Sequence, residues 1–216
     1  MNILFDLDGT LNDSKPGIVM GYCHALSVLG YPHPSQAALD MAIGPPLEEN
    51  FMRFMNTQDK ARVAEAAEIY HQFYEREGIR HATLYPHIKT LLKQLHDEKY
   101  SLYLATSKIQ PHAEIQLETL GIANYFRGAQ GATRDGSLRH KVDVIHQAVS
   151  RYQLDPKHSL MIGDHKVDIL GGKHHGMKTI GVTYGYGTRE ELLAAKPDAL
   201  CDQPEQLYQL IKMQLV

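Results

Sequence analysis

An apolar run that ends on two carboxylates opens this chain: Asn2-Ile3-Leu4-Phe5 leads directly into Asp6-Leu7-Asp8-Gly9-Thr10. Buried strands end this way when the following loop must put charge at the rim of a sheet. Asp6 and Asp8, two apart on an extended segment, point to the same side. If both were unpaired they would repel, and one would take up a proton. A hard divalent cation removes that conflict, and magnesium takes oxygen ligands. A carboxylate beside such a cation is also able to attack phosphorus. Taken alone, D-x-D-G equally fits an edge strand and a solvated turn, so the rest of the chain has to decide.

Beyond Asp13 the pattern turns helical. Ser14 is placed to cap a helix with Pro16 in its first turn, and Ile18, Cys23, Leu26 and Leu29 follow at helical spacing up to Gly30. Short helices are expected from Pro34-Ser35 to Ile43 and over 47–55, separated by Gly44-Pro45-Pro46, with a longer one over 58–77. From Pro86 the order changes to helices alternating with strands. Strands are expected at 101–106, 127–131, 159–163, 178–183 and, weakly, 198–201. Helices are expected at 86–98, 111–120, 139–152, 167–175, from the Thr188-x-x-Glu191 capping box onward, and at 205–213. Alternation of this kind predicts an α/β fold with a doubly wound parallel sheet, into which the helical stretch is inserted as a lid.

In open sheets of this type ligands bind beyond the carboxyl ends of the strands, so polar candidates should follow strands. Asp6 and Asp8 follow the first. Thr106-Ser107-Lys108 follow the strand at 101–106, and Gly163-Asp164 with Asp168 follow the one at 159–163. Lys141 lies near the start of the preceding helix. Each group alone has an ordinary structural reading: a helix cap, a solvated charge, a turn. Together and in this order they point to one site.

The string FDLDGTLNDS resembles the nucleophile motif of the haloacid dehalogenase-like hydrolases, and the order of all four groups is similar to the four motifs of that superfamily over the whole chain. The resemblance implies a Rossmann-like catalytic core of residues 1–13 and 82–216, with an α-helical cap of residues 14–81 inserted after the first strand. It implies that Asp6 is the nucleophile taking the phosphoryl group and that Asp8 is general acid, then general base. Thr106 would bond a phosphoryl oxygen, assisted by the Ser107 backbone. Lys141 would neutralise the phosphoryl charge and orient Asp6. Asp164 would ligate Mg²⁺ together with the Asp6 carboxylate and the Asp8 main-chain carbonyl, with Asp168 auxiliary. Asn12 departs from the threonine or valine frequent in the family, with little consequence expected. No proline follows Lys141, which leaves Arg139 as a rival cation. His165 and Lys166 stand where smaller residues are common and either face substrate or simply lie in solvent.

Asp8 favours phosphoryl over carbon–halogen chemistry. Lys15 and Lys60 in the lid lack the apolar setting that a Schiff base needs. Residues 43–51, IGPPLEENF, and 181–192, GVTYGYGTREEL, resemble phosphoglycolate phosphatase-like and related 5′-nucleotidase-like members. The expected activity is Mg²⁺-dependent hydrolysis of a small phosphorylated metabolite through an aspartyl phosphate. A phosphosugar mutase shares every core motif. A non-catalytic binding protein is the reading from another class, but Asp6, Asp8, Lys141 and Asp164 are all retained. Gly44, Pro45 and Arg53 are the lid's candidates for substrate binding, although the turn also reads as a plain helix connection and Arg53 as a solvated charge. Tyr184 and Tyr186 read as packing or rim residues.

Composition narrows the partners. A net charge of −3 argues against nucleic acid or an anionic membrane. Two cysteines cannot make a disulfide framework, which suits a reduced, cytoplasmic setting. The 13 histidines lack zinc-like spacing and read mostly as surface residues. No leader segment is expected ahead of the first strand, and no apolar run approaches a membrane span. A monomer or homodimer is expected.

Overall fold

The computed structural model describes residues 1–214 and divides into two units, Met1–Asp13 with Thr83–Val216, and Ser14–Ala82. In chain order the first unit begins with strands β1 (Asn2–Phe5) and β2 (Asn12–Asp13). The second unit then holds helices α1 (Lys15–Val28), α2 (Gln36–Asp40), α3 (Leu47–Met55) and α4 (Lys60–Arg76), and a 3₁₀ turn at Gly78–His81. The first unit resumes with β3 (Thr83–Leu84), α5 (Ile88–Asp97), β4 (Ser101–Ile109), α6 (Gln110–Thr119), β5 (Phe126–Ala132) and α7 (Lys141–Tyr152). It ends with β6 (Ser159–Gly163), α8 (Lys166–His174), β7 (Lys178–Val182), α9 (Arg189–Ala195), β8 (Ala199–Cys201) and α10 (Pro204–Gln214).

Six strands form one parallel sheet in the order β5-β4-β1-β6-β7-β8. Counted by chain position among these strands, that is the doubly wound 3-2-1-4-5-6 order, whose direction of winding reverses between β1 and β6. The residues that end those two strands therefore flank the switch point. In register, Phe5 lies beside Leu104 on one side and Ile162 on the other.

Both faces of the sheet are buried, so β1 is a continuous apolar run whose members alternate between two cores. Ile3 and Phe5 pack with Leu102, Leu104 and Ile162, with Ile88, Leu91, Leu92 and Leu95 of α5, and with Leu207 and Ile211 of α10. Leu4 packs on the other side with Tyr103, Met161 and, from α7, Val144, Ile145 and Ala148. Fully burying each such aliphatic side chain contributes about 1.5–3 kcal/mol. Gly172 lets α8 approach this second face: a Cβ there would lie 2.9 Å from side-chain atoms of Met161 and Thr179.

The helical unit has its own core, built on Tyr22, Leu26, Phe51, Val63, Tyr70 and Tyr74. Close packing depends on two glycines of α1. A Cβ on Gly17 would stand 2.0 Å from the Gly78 carbonyl oxygen, and one on Gly21 would stand 2.6 Å from the Tyr70 ring.

Local differences from the sequence reading have physical reasons. Ser14 occupies the N-cap position of α1 with a helical backbone (φ −103°, ψ −1°) and makes no capping bond through its side chain. α2 stops at Asp40, short of Ile43. β4 runs on to Ile109 because that residue still pairs with Ala132 across a register shift. The antiparallel pair β2–β3 is two residues long, too short to leave a periodic signal. Ala82, expected in the core, falls with the helical unit. No helix among the described residues is long and apolar enough to cross a membrane.

Asn12 is the departure from which little consequence is expected. It is fully buried, and neither polar atom of its amide has a hydrogen-bond partner among the described residues. A buried polar group left unpaired costs about 1–3 kcal/mol. Asn12→Val should therefore raise the midpoint of thermal or urea unfolding. An unchanged or lower midpoint would mean that the amide is satisfied in solution.

Candidate active site

The loop after β1 gathers the site. The Asp6 amide donates to the Ile162 carbonyl at 2.9 Å, so strand pairing holds the first carboxylate in place. The chain then coils tightly, with the amides of Thr10, Leu11 and Asn12 all donating to the Leu7 carbonyl at 3.2, 2.9 and 3.2 Å. Gly9 makes the turn at φ +85°, and a Cβ there would lie 2.2 Å from Asp164 Oδ2. Only glycine meets both demands.

Lys141, the first residue of α7, is buried at the centre. Its Nζ lies 2.8 Å from Asp6 Oδ1 and 2.8 Å from Asp168 Oδ1, and donates to the Ala105 carbonyl at 3.1 Å. Arg139, the rival cation, is exposed. Burial works against the Lys141 charge, but Asp168 and Asp6 outweigh it and hold the amine above its ordinary value. Burial also pushes the Asp6 carboxyl up, against the pull of Lys141.

Asp164 is fully buried. Thr10 Oγ1 donates to its Oδ1 at 3.2 Å, and the amides of Tyr186 and Gly187 donate to its Oδ2 at 2.8 and 3.4 Å. Burial, then the nearby Asp6 and Asp168 charges, push its carboxyl well above the usual carboxylate range. Carboxylate oxygens of Asp6, Asp164 and Asp168 lie within 4.8 Å of one another. Three buried carboxylates against one lysine leave negative charge uncompensated, and the donors are all hard oxygens. That set fits Mg²⁺. Both Asp168 oxygens are engaged as well, Oδ1 by Lys141 Nζ at 2.8 Å and Oδ2 by the His165 amide at 3.0 Å.

Thr106 is buried within β4, where its Oγ1 accepts the Lys108 amide at 3.2 Å, and Ser107 beside it is exposed. Asp8 is half-buried, and its Oδ1 accepts from Lys108 Nζ at 2.9 Å. Gly44, Pro45 and Arg53 are exposed residues of the helical unit. Lys166 pairs with Glu191 at 3.0 Å on the surface, the solvent-facing one of its two expected settings.

Sequence reasoning missed several contributors. Lys108 stood in view beside Thr106, but its pairing with Asp8 spans 100 positions. Tyr184 and Tyr186 do more than line a rim. Tyr184 Oη donates to the Thr10 carbonyl at 3.0 Å, and Tyr186 Oη to Asp13 Oδ1 at 2.7 Å. The 183–188 loop thus ties the first motif to Asp164, and the G-x-G spacing was its only signal: a Cβ on Gly185 or Gly187 would collide with Asp164 or Gly9 atoms at about 2 Å. His165 caps α8 through its ring while Asp168 returns the bond, a capping box hidden by an unusual cap residue.

The family model described as haloacid dehalogenase-like hydrolase matches residues 3–182. A 5′-nucleotidase of Pseudomonas aeruginosa is 36% identical over 98% of this chain and 95% of its own length. A phosphoglycolate phosphatase of Vibrio vulnificus is 32% identical over 97% and 95%. Among solved structures, a haloacid dehalogenase-like family hydrolase of Streptococcus pneumoniae superposes with a TM-score of 0.88 at 36% identity, covering 97% of each chain.

Proposed function

The chain belongs to the haloacid dehalogenase-like hydrolase family, and from that premise we propose a Mg²⁺-dependent phosphomonoester hydrolase that works through an aspartyl phosphate on Asp6. The observation that carries this reading is the buried Lys141, which orients the Asp6 carboxylate beside Asp164 and Asp168 at the switch point of the sheet. The substrate is a small phosphorylated metabolite, phosphoglycolate-like or a nucleoside 5′-monophosphate, a choice supported by the names of the two relatives.

A phosphomonoester is dianionic, so an anionic nucleophile needs cations to approach it. Asp6 and Asp164 carboxylates with the Asp8 main-chain carbonyl would hold Mg²⁺, with Asp168 auxiliary, and the ion when bound supplies charge neutralisation. Lys141 neutralises from the protein side and keeps one Asp6 oxygen fixed, leaving the other to attack phosphorus. Asp6 forms the bond to phosphorus as the ester oxygen leaves, and Asp8 gives that oxygen its proton. Asp8 then takes a proton from the water that cleaves the aspartyl phosphate, so one hard step becomes two. Lys108 fixes one oxygen of Asp8 between these transfers, and Thr106 with the Ser107 backbone holds a phosphoryl oxygen.

The test is release of inorganic phosphate from p-nitrophenyl phosphate, phosphoglycolate and nucleoside 5′-monophosphates. Turnover should require Mg²⁺, vanish in excess chelator and return when Mg²⁺ is restored. Full activity in chelator, or recovery with zinc alone, would overturn the metal assignment.

A further inference from the structure

His165 stands between Asp164 and the start of α8. As N-cap it accepts the Asp168 amide through its ring, and Asp168 accepts the His165 amide in return at 3.0 Å. The accepting atom is Nδ1, because Nε2 has no hydrogen-bond partner among the described residues. A neutral imidazole that accepts through one nitrogen carries its proton on the other. The cap therefore fixes the tautomer, with the hydrogen on Nε2.

That hydrogen sits where bulk water does not reach. Nε2 is sealed from solvent, although the side chain as a whole is 22% exposed, and it lies 3.8 Å from Oδ2 of the fully buried Asp164. A histidine beside carboxylates is an ordinary zinc or nickel ligand when a ring nitrogen offers its lone pair. Here the Asp168 amide occupies the Nδ1 lone pair, and Nε2 holds a proton. The ring thus faces the carboxylate as a donor and not as a ligand.

A separation of 3.8 Å is too long for a hydrogen bond, and a buried donor without an acceptor is costly. Asp164 Oδ2 has capacity for one more donor. Of the two amides it accepts, Tyr186 stands at 2.8 Å but Gly187 only at 3.4 Å.

Resting on the metal-dependent reading above, we propose that His165 is a positioning residue for the metal: its Nε2–H closes onto Asp164 Oδ2 when a cation is bound, and holds that carboxylate in its ligating orientation. Metal binding then satisfies a donor that folding alone leaves without an acceptor. Hydrogen bonds of this kind orient ligating carboxylates, and losing one costs about ten- to a hundredfold in metal affinity.

Isothermal titration calorimetry of Mg²⁺ into the substrate-free chain reads the effect without catalysis. His165→Ser keeps a hydroxyl, among the best N-cap groups, but that hydroxyl stops short of the Nε2 position. The variant should bind Mg²⁺ about tenfold more weakly, and the Mg²⁺ concentration for half-maximal phosphate release should rise by the same factor. Its melting temperature without metal should equal or exceed that of the wild type, since the cap is kept and the costly donor is gone. His165→Ala removes cap and donor together, and should lose the same metal affinity while melting lower. His165→Gly, which also serves as an N-cap, repeats the serine test if that chain does not fold. Mg²⁺ bound by His165→Ser as tightly as by the wild type would make the ring a helix cap only and overturn the proposal. A loss of affinity in step with a fall in the metal-free melting temperature of that variant would overturn it too. A wild type that takes up no Mg²⁺ in the titration would instead sink the metal assignment, and this inference with it.

Discussion

Asp6→Asn is expected to lose turnover by about a thousandfold or more, because nothing substitutes for the attacking atom in covalent catalysis. The fold should survive. Burial already pushes the Asp6 carboxyl up, so a neutral group of the same shape removes a desolvation cost. Lys141 keeps its partner Asp168 at 2.8 Å. Steady-state kinetics alongside a thermal melt check both halves. A variant that keeps a tenth of the wild-type kcat would rule out Asp6 as nucleophile. Mass spectrometry of the acid-quenched wild type should find a phosphoryl group on the Asp6 peptide, absent in the variant.

Lys141→Met should strike activity and stability together. Every substrate presents the same phosphoryl group, so all should fall by one common factor of about a hundred to a thousand. Removing the one cation leaves Asp6 and Asp168 buried without their partner, a change that costs about 3–5 kcal/mol. For a chain of this size that lowers the melting temperature by roughly 10 °C. Added Mg²⁺ should restore part of the melting temperature and little of the turnover. Losses confined to one substrate would move Lys141 from the phosphoryl group to the leaving group. An unchanged melting temperature would mean that the cluster is not held by its charges.

What could be read from sequence was whatever depends on neighbours along the chain. Asp6, Asp8 and Asp164 stand at the ends of apolar runs, and buried strands announce themselves by composition. The doubly wound order followed from alternation of strands with helices. Lys141 was legible only as a member of an ordered set, since a lone lysine at a helix start carries no signal of its own. The unread features are those made by distant segments meeting. Lys108 reaches Asp8, Tyr186 reaches both Asp164 and Asp13, and Asn50 reaches Tyr22, each through a tertiary approach that leaves no local pattern. Asn12 is the reverse case. It sits inside the most legible motif of the chain, yet its cost arises from burial alone.

The two-residue pair β2–β3 sets Asp13 opposite Thr83 and Asn12 opposite Leu84. The chain therefore departs for the helical unit and comes back through residues already joined as the arms of a hairpin. A short reverse turn such as Asn-Gly would close those arms directly. The six-stranded sheet draws no strand from the insert, whose two ends lie side by side in this pair. That makes the helical unit an exchangeable cartridge. Asp6, Lys141 and Asp164 all lie outside it, on the part of the chain that those arms close.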